Sequence, residues 1–286
     1  MAIRIGCGSW TDSEYVGLLY PKGLPASERL RTYATLFERI EVNSTYYAIP
    51  PRATVAGWVE QTPPDFLFDV KLPRAFSDHP QRSAESDLAD KLLDTLHPLI
   101  AAKKLGAFLL TLAPGFGPES HHLDELDLVA RKLQPDAPLA VELRHRGWIE
   151  GDALAATLDH FRRNKLVWVA LDLPRLKSTS LLPPLDEVTH PHLAYLRLHG
   201  RNPNYLKGKT AAERHQYDYT ETELKDIATR IQSLATRAKD VHVSVNNHFA
   251  NFAPKAALAL RRLLGQPVPP ALPPGGGEDR QLSLLD

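Results

Sequence analysis

The sequence is poor in sulfur and has no excess of either charge, with one cysteine, Cys7, and 34 Lys and Arg against 34 Asp and Glu. A single cysteine excludes an intramolecular disulfide and the cysteine-rich zinc and iron–sulfur sites. Balanced charge gives no global positive field for nucleic acid, so a charged partner must be argued from local patches. Because MAIRIGCGSW has no signal-peptide apolar segment and no apolar run reaches membrane length, we expect a cytoplasmic protein with no membrane partner.

Short apolar stretches rich in Val, Ile, Leu and Phe alternate with longer segments whose apolar residues have helical spacing. The eight predicted strands are 3–9, 39–43, 66–71, 106–112, 138–144, 167–173, 193–200 and 241–247. This alternation is typical of parallel strands joined by helices. Eight such units match a TIM barrel better than a doubly wound sheet, which usually has fewer strands. The sequence therefore predicts an α/β fold, a single-domain (β/α)8 TIM barrel over 1–265.

Two connections and two helix starts stand out. The segment after the sixth strand, PRLKSTSLLPPLDEVTHP, is interrupted by prolines and is predicted to lack a regular helix. The segment after the seventh, NPNYLKGKTAAERHQYDY, is predicted to be a long loop. Thr220 with Glu223, and Ser86, are predicted to cap helix N-termini.

Polar residues recur at one parity of the predicted strands. Side chains alternate along a strand, and the more apolar parity should pack under the helices, so the polar parity should face the barrel interior. The inward residues are then Glu41, Asn43, Asp69, Lys71, Glu142, Arg144, Asp172, Arg197, His199, His242, Ser244 and Asn246. Several of them lie at C-terminal strand ends, where TIM barrels have their active sites.

These inward residues have a structural and a functional interpretation. Deep ion pairs could form structural layers, with Glu41, Asp69 and Glu142 neutralising Arg4, Lys71 and Arg144. The structural interpretation is favoured for the deep carboxylates. The functional one is favoured at the rim, because clustered donors there cost desolvation and have no evident packing role. The rim group is Arg144, Arg197, His199, Asn246 and Asn247.

Six motifs resemble, in order, those of the YecE-like family, a group of TIM-barrel proteins catalogued as domain of unknown function 72. They are GCGSW (6–10), EVNSTYY (41–47), FLFDVKLPR (66–74), VELRHRGW (141–148), YLRLHGRN (195–202) and VNNHFANFAPKAA (245–257). The resemblance implies the barrel fold and a shared pocket, but it supplies no reaction. The matching positions are Asn43, Thr45, Tyr46, Lys71, Glu142, Arg144, His145, Trp148, Arg197, His199, Gly200, Arg201, Asn246, Asn247 and His248.

The basic residues predict a positively lined pocket that suits an anionic small molecule or nucleic acid, such as a phosphoester. Glu142 or Asp172 would act as general base on water, with His199 as proton donor, which predicts a hydrolase. The predicted substrate-binding residues are Asn43, Tyr46, Lys71, Arg144, His145, Trp148, Arg197, Arg201, Asn246, Asn247 and His248.

Three alternatives stay open. A metal-dependent, nuclease-like barrel would use divalent-metal ligands drawn from Glu142, Asp172, His199 and His248, but the neighbouring basic charges would repel a cation. Glycoside hydrolysis has the carboxylates and lacks an aromatic groove. A non-catalytic module that binds an anionic ligand or nucleic acid is the third. No cofactor is predicted.

The last residues, 266–286, are predicted to be a flexible Pro/Gly-rich tail that cannot form a core. Its final QLSLL resembles the short peptide by which bacterial replication and repair proteins bind the DNA sliding clamp. Gln281 would make hydrogen bonds, and Leu282, Leu284 and Leu285 would fill apolar pockets. The alternatives are a chance sequence or a strand that folds back on the barrel. If the peptide binds the clamp, the pocket would serve DNA replication or repair.

Overall fold

Eight parallel strands form a nearly closed barrel in a computed structural model that describes residues 1–247 and 249–268, with the backbone alone at Ala211. The strands are β1 (Ala2–Cys7), β2 (Arg39–Val42), β3 (Leu67–Lys71), β4 (Leu105–Thr111), β5 (Leu139–Glu142), β6 (Val167–Asp172), β7 (Leu193–Leu198) and β8 (Asp240–Val245). Their hydrogen-bonded order is β1-β8-β7-β6-β5-β4-β3-β2, which is the sequential order of a TIM barrel. The predicted fold is confirmed.

Helices surround the strands and bury one face against them. They are α1 (Arg29–Leu36), α2 (Arg52–Glu60), α3 (Arg74–Asp78), α4 (Pro80–Glu85), α5 (Leu88–Ala101), α6 (Asp127–Leu133), α7 (Ala153–Arg163), α8 (Ala211–Arg214), α9 (Glu221–Ala235) and α10 (Phe252–Leu263). Helix α9 begins at the predicted capping box of Thr220 and Glu223. Helix α5 begins one residue later than predicted, because its N-cap is Asp87 and not Ser86, although the Ser86 hydroxyl still accepts the Leu88 N–H.

The connection between β6 and β7 has no helix, as its prolines predict. It packs as an ordered loop against the barrel, with Leu181 and Leu182 buried. The Arg146 Nε donates to the Leu181 carbonyl at 2.7 Å, and the Trp168 indole donates to the Leu185 carbonyl at 3.0 Å. Side chains from the barrel therefore replace the hydrogen bonds that a helix would have supplied.

The barrel closes between β1 and β2, the two ends of the hydrogen-bonded order. The hydroxyl of Tyr33 accepts the Cys7 N–H at 2.7 Å and donates to the Arg39 carbonyl at 3.1 Å, so it bridges the two strands. A Cβ atom at Gly6 would lie 2.2 Å from the Arg39 carbonyl oxygen. Only glycine at position 6 permits this close approach.

A layer of buried charge lies inside the barrel below its mouth. The Arg39 guanidinium donates to Asp69, to the Tyr195 hydroxyl at 2.8 Å and to the Val243 carbonyl at 2.6 Å. The His242 ring lies 3.0 Å from Asp69 on the other side. The charges of Arg39 and Asp69 are paired, as deep burial of charge requires, although the Arg39 Nε has no hydrogen-bond partner among the described residues.

Two of the ion pairs predicted for the deep carboxylates are wrong. Asp69 pairs with Arg39 and not with Lys71, while Glu41 pairs with Arg197 and not with Arg4. The Nε of Arg4 is buried without a hydrogen-bond partner. The expected pair of Glu142 with Arg144 does form.

Two predictions concern the ends of the chain and membranes. Most of the predicted tail over 266–286, including Gln281, Leu282, Leu284 and Leu285, lies outside the described residues. Among the residues that are described, no helix combines the length and the apolar character needed to span a membrane.

Candidate functional site

The C-terminal ends of the strands bring most of the predicted site residues to one mouth. Lys71 and Glu142 are the last residues of β3 and β5, and His199 and Asn246 directly follow β7 and β8. Because all eight strands are parallel, their carboxyl ends meet at the same end of the barrel. The positions of these side chains at the mouth are therefore fixed by the strands of the barrel.

Arg197 occupies the centre of this cluster between two carboxylates. Its Nη2 and Nε donate to Glu41 at 2.6 and 3.1 Å, and its Nη1 donates to Glu142. Burial raises the pKa of Glu41, but the charge and hydrogen bonds of Arg197, together with the charge of Arg39 and a hydrogen bond from Ser244, outweigh burial and lower that pKa to about 2. Arg197 is itself buried, so its charge is neutralised by carboxylates inside the protein.

Arg144 shares Glu142 with Arg197 but faces the solvent. Its Nε donates to Glu142 at 2.6 Å, and 34% of its side chain is exposed. Burial raises the pKa of Glu142, yet the Arg144 and Arg197 charges hold it well below its usual range. The two terminal amino groups of Arg144 donate to none of the described residues, so they remain available to a ligand.

Lys71 is a half-buried cation with an aromatic neighbour. Its Nζ lies 4.1 Å from the centroid of the Tyr46 ring, a cation–π contact. Burial, followed by the charges of Arg197 and Arg144, lowers the pKa of Lys71 to about 7, against the opposing charge of Glu142 and Glu41. At neutral pH the lysine is therefore divided between ammonium and amine.

His199 is a buried, neutral imidazole beside this cluster. Burial and the charge of Arg197 lower its pKa to about 4 although Glu142 opposes them. Its Nε2 lies 3.8 Å from Glu142, beyond hydrogen-bond range, and neither ring nitrogen has a partner among the residues described. A buried nitrogen pair without partners is costly, which points to a ligand or water that completes it.

The asparagines tie the mouth together. The Asn246 amide donates to Glu41 at 3.1 Å, and the Asn43 amide donates to the Asn246 carbonyl oxygen at 3.2 Å. The Asn247 amide donates to the Tyr217 carbonyl at 2.7 Å. These amides orient neighbouring groups through the hydrogen bonds they already make.

Two predicted residues lie in a second, separate cluster. The Asp172 carboxylate accepts hydrogen bonds from Arg201, from Arg230 of α9 and from the Tyr219 hydroxyl at 2.8 to 3.2 Å. No side-chain hydrogen bond or ion pair among the described residues joins Asp172 to Glu142. Asp172 and Arg201 thus neutralise one another and link β6 to α9.

His145 and Trp148 form a wall after β5. The His145 Nδ1 accepts the Gly147 N–H at 3.1 Å and caps a short 3-10 turn, Arg146–Trp148. Trp148 is buried, and its indole donates to the Phe116 carbonyl at 2.7 Å. Both side chains are held in place by the backbone around them.

Sequence reasoning missed Arg39, Tyr195, Arg230 and Tyr219. Arg39 and Tyr195 share the inward parity of Glu41 and Arg197, so the period-two pattern contained the signal for both. Arg230 lies on α9, and no strand pattern could have pointed to it.

The metal-dependent alternative requires a set of ligand side chains, and the described part of the chain contains none. No cluster of three or more His, Cys, Asp or Glu suited to a metal ion occurs within 1–247 and 249–268. Glu142 and Asp172 belong to separate clusters, each saturated by arginines. His248, the fourth proposed ligand, lies outside the described residues.

The fold and the mouth define the class of protein: a (β/α)8 barrel whose interior holds a network of ion pairs between arginines and carboxylates. A family model described as protein of unknown function DUF72 matches residues 4–276. The chain belongs to this DUF72 family, which confirms the resemblance drawn from the six motifs.

Curated relatives and solved structures agree with this assignment. The chain is 28% identical over 255 residues to UPF0759 protein YunF of Bacillus subtilis, covering 86% of this chain and 89% of YunF. It is 34% identical to UPF0759 protein YecE of Escherichia coli over 43% of this chain and 44% of YecE. A DUF72 crystal structure from Enterococcus faecalis superposes with a TM-score of 0.78 at 28% identity, over 93% and 98% of the two chains. One from Thermotoga maritima gives 0.79 at 27% identity, over 93% and 100%.

Proposed function

We propose that the mouth of the barrel binds an anionic phosphoester and hydrolyses it. One observation carries the proposal: Lys71 and Arg144 retain donors that no described residue accepts, although Arg197 and Arg201 are neutralised inside the protein. Three cations of the mouth, Lys71, Arg144 and Arg197, face two carboxylates, Glu41 and Glu142. The excess positive charge supports binding of an anion between Lys71 and Arg144.

The proposal gives the role of general base to His199 instead of Glu142. Both oxygens of Glu142 already accept hydrogen bonds from arginines, which leaves neither of them free to take a proton from water. His199 is neutral and has both nitrogens free for water. Glu142 lies 3.8 Å away and would stabilise the imidazolium that forms.

The step is balanced without a further reactant. His199 takes a proton from water as the water oxygen attacks phosphorus, and the ester P–O bond breaks. The leaving oxygen takes a proton from the Lys71 ammonium, and solvent returns the His199 proton to Lys71. Arg144 holds the phosphoryl oxygens throughout. Asp172 takes no part in the step, because its cluster is separate from the mouth and holds the end of β6 against α9.

A panel of phosphomonoesters and phosphodiesters tests the proposal, with calorimetry for binding and released phosphate for turnover. Arg144→Gln should weaken binding at least about tenfold, because it removes a charge-assisted bidentate contact. Arg175→Gln is the matched control, since Arg175 is an exposed arginine in the loop after β6. His199→Gln should reduce turnover about 100-fold or more and leave affinity within about threefold.

The same panel separates the alternatives. Binding without turnover in the wild-type protein would favour a non-catalytic anion-binding module. Equal affinities of Arg144→Gln and Arg175→Gln would refute the proposed site. Tighter binding of oligonucleotides than of mononucleotides would identify nucleic acid as the substrate class.

We also propose that residues 281–285, QLSLL, bind a bacterial DNA sliding clamp and so link the barrel to replication or repair. Support comes from the sequence: Gln281 and the three leucines follow a Pro/Gly-rich stretch long enough to leave the barrel clear of a partner. Deletion of 281–286 should abolish clamp binding in a pull-down with purified clamp and leave thermal stability unchanged. Full clamp binding by the truncated chain would refute the link.

A further inference from the structure

The protein holds Lys104 and Lys71 in opposite ways. Lys104 is 4% exposed, and its ammonium donates to the Val59 carbonyl and to the Thr62 carbonyl and hydroxyl at 2.7 to 2.9 Å. All three of its protons are satisfied, as expected of a structural lysine. Lys71 has the Tyr46 ring on one side and forms no hydrogen bond or ion pair with any described residue. The described part of the fold therefore gives the Lys71 ammonium no hydrogen-bond acceptor.

Charged groups from several strands face Lys71. Arg197 from β7 and Arg144 from the end of β5 disfavour its ammonium form, and Glu142 of β5 and Glu41 of β2 favour it. The two carboxylates already form ion pairs with the two arginines, which weakens their attraction for the Lys71 ammonium. Burial beside cations is the arrangement that converts a lysine into a nucleophilic amine.

We propose that Lys71 forms an imine with an aldehyde or ketone that also carries an anionic group. The inference rests on the anion binding of the proposed function and adds a carbonyl to the ligand's chemistry. Arg144 would hold the anionic group with its unused amino groups, while the carbonyl carbon faces the Nζ of Lys71. The phosphoester of the proposed function then becomes the phosphate ester of a carbonyl compound.

The step needs only the amine and the carbonyl compound. The Nζ lone pair attacks the carbonyl carbon, the C=O π bond opens, and a carbinolamine forms. The nitrogen then loses its second proton, the C–O bond breaks, and the oxygen leaves as water with both protons that the amine gave up. His199 has two unpartnered nitrogens beside the cluster and is suited to carry these protons.

Reductive trapping tests the inference on the wild-type protein, so no variant has to fold. Glyceraldehyde 3-phosphate and glyceraldehyde share one aldehyde and differ in the phosphate alone. Each is incubated with the protein and cyanoborohydride near pH 7, and adducts are located by peptide mapping. Lys104 and the exposed Lys209 serve as internal controls. We expect Lys71 to be modified first, and at concentrations of glyceraldehyde 3-phosphate at least about tenfold lower than of glyceraldehyde.

Arg144→Gln should remove the preference for the phosphorylated aldehyde, and Arg175→Gln should keep it. The absence of a Lys71 adduct, or modification of Lys71 no faster than Lys209, would overturn the imine. If inorganic phosphate still bound at the mouth in calorimetry, the proposed anion site would survive that failure. Equal modification of Lys71 by both aldehydes would overturn the anionic carbonyl ligand, and calorimetry with inorganic phosphate would then decide separately whether the anion site stands.

Discussion

The ammonium of Lys71, the last residue of β3, lies 4.1 Å from the centre of the ring of Tyr46, which follows the neighbouring strand β2. The contact places a cation on an aromatic face at the mouth, where a carboxylate would otherwise be expected. The carboxylates of the mouth are instead held by arginines. Lys71 thus has no carboxylate partner among the described residues.

The proposed hydrolysis has a defined pH dependence. His199 must be neutral, so kcat/KM should rise through a pKa of about 4, and Lys71 must be protonated, so it should fall through about 7. The optimum is expected between these values, with a loss of about tenfold per pH unit on either side. A pH profile of phosphate release checks this. An optimum above pH 8 would contradict the assignment of the two groups.

Lys71→Met should stabilise the protein at neutral and acidic pH. The folded state lowers the lysine pKa from 10.5 to about 7, so between these values the unfolded state binds more protons and wild-type stability rises with pH. Below pH 7 the full cost of the buried ammonium is present. We expect the variant to gain on the order of 2 kcal/mol at pH 6 in urea unfolding, and less at pH 10. A variant destabilised at pH 6 would show that Lys71 is a structural residue.

Tyr33→Phe should weaken the closure between β1 and β2. The variant keeps the ring but leaves the buried Cys7 N–H and Arg39 carbonyl without their bridge. We expect a loss of about 1–3 kcal/mol in the free energy of unfolding. Tyr47→Phe is the control, because Tyr47 is 84% exposed and should be neutral. Equal stability of the two variants would mean that the hydroxyl does not hold the barrel closed.

Arg230→Met should destabilise the fold without changing the mouth. Arg230 donates to Asp172 and Asp186 at 2.8 to 2.9 Å, and its side chain is 12% exposed. Its removal leaves buried negative charge, so we expect a loss of about 3 kcal/mol with ligand affinity unchanged. In the exposed pair of Arg162 and Glu187, Arg162→Met should cost less than about 0.5 kcal/mol. Loss of ligand affinity in Arg230→Met would join the two clusters into one site.

Strand positions and inward parity were predictable from the sequence, because burial imposes a period of two on residues such as Glu142 and Arg144. The pairing of charges was not predictable. Which cation reaches Asp69 depends on the stagger of the strands around the barrel, and Arg39 reaches it from the neighbouring strand.

The side chains that helices contribute to the barrel interior and its rim were also not predictable from strand patterns. Tyr33 of α1 reaches between two strands, and Arg230 of α9 reaches Asp172. The sequence placed Lys71 at the mouth but could not show that arginines occupy the nearby carboxylates. That occupancy leaves Lys71 without an ion pair among the described residues, which is the basis of the proposed imine.

A crystal structure of the wild-type protein soaked with a phosphomonoester tests the central claim most directly, because a bound anion reports which side chains meet. The account predicts phosphate oxygens within hydrogen-bond distance of the Arg144 amino groups and the Lys71 Nζ, with His199 facing the phosphorus. A phosphoester that binds tightly in solution but lies elsewhere in the crystal, leaving the mouth to water, would contradict it.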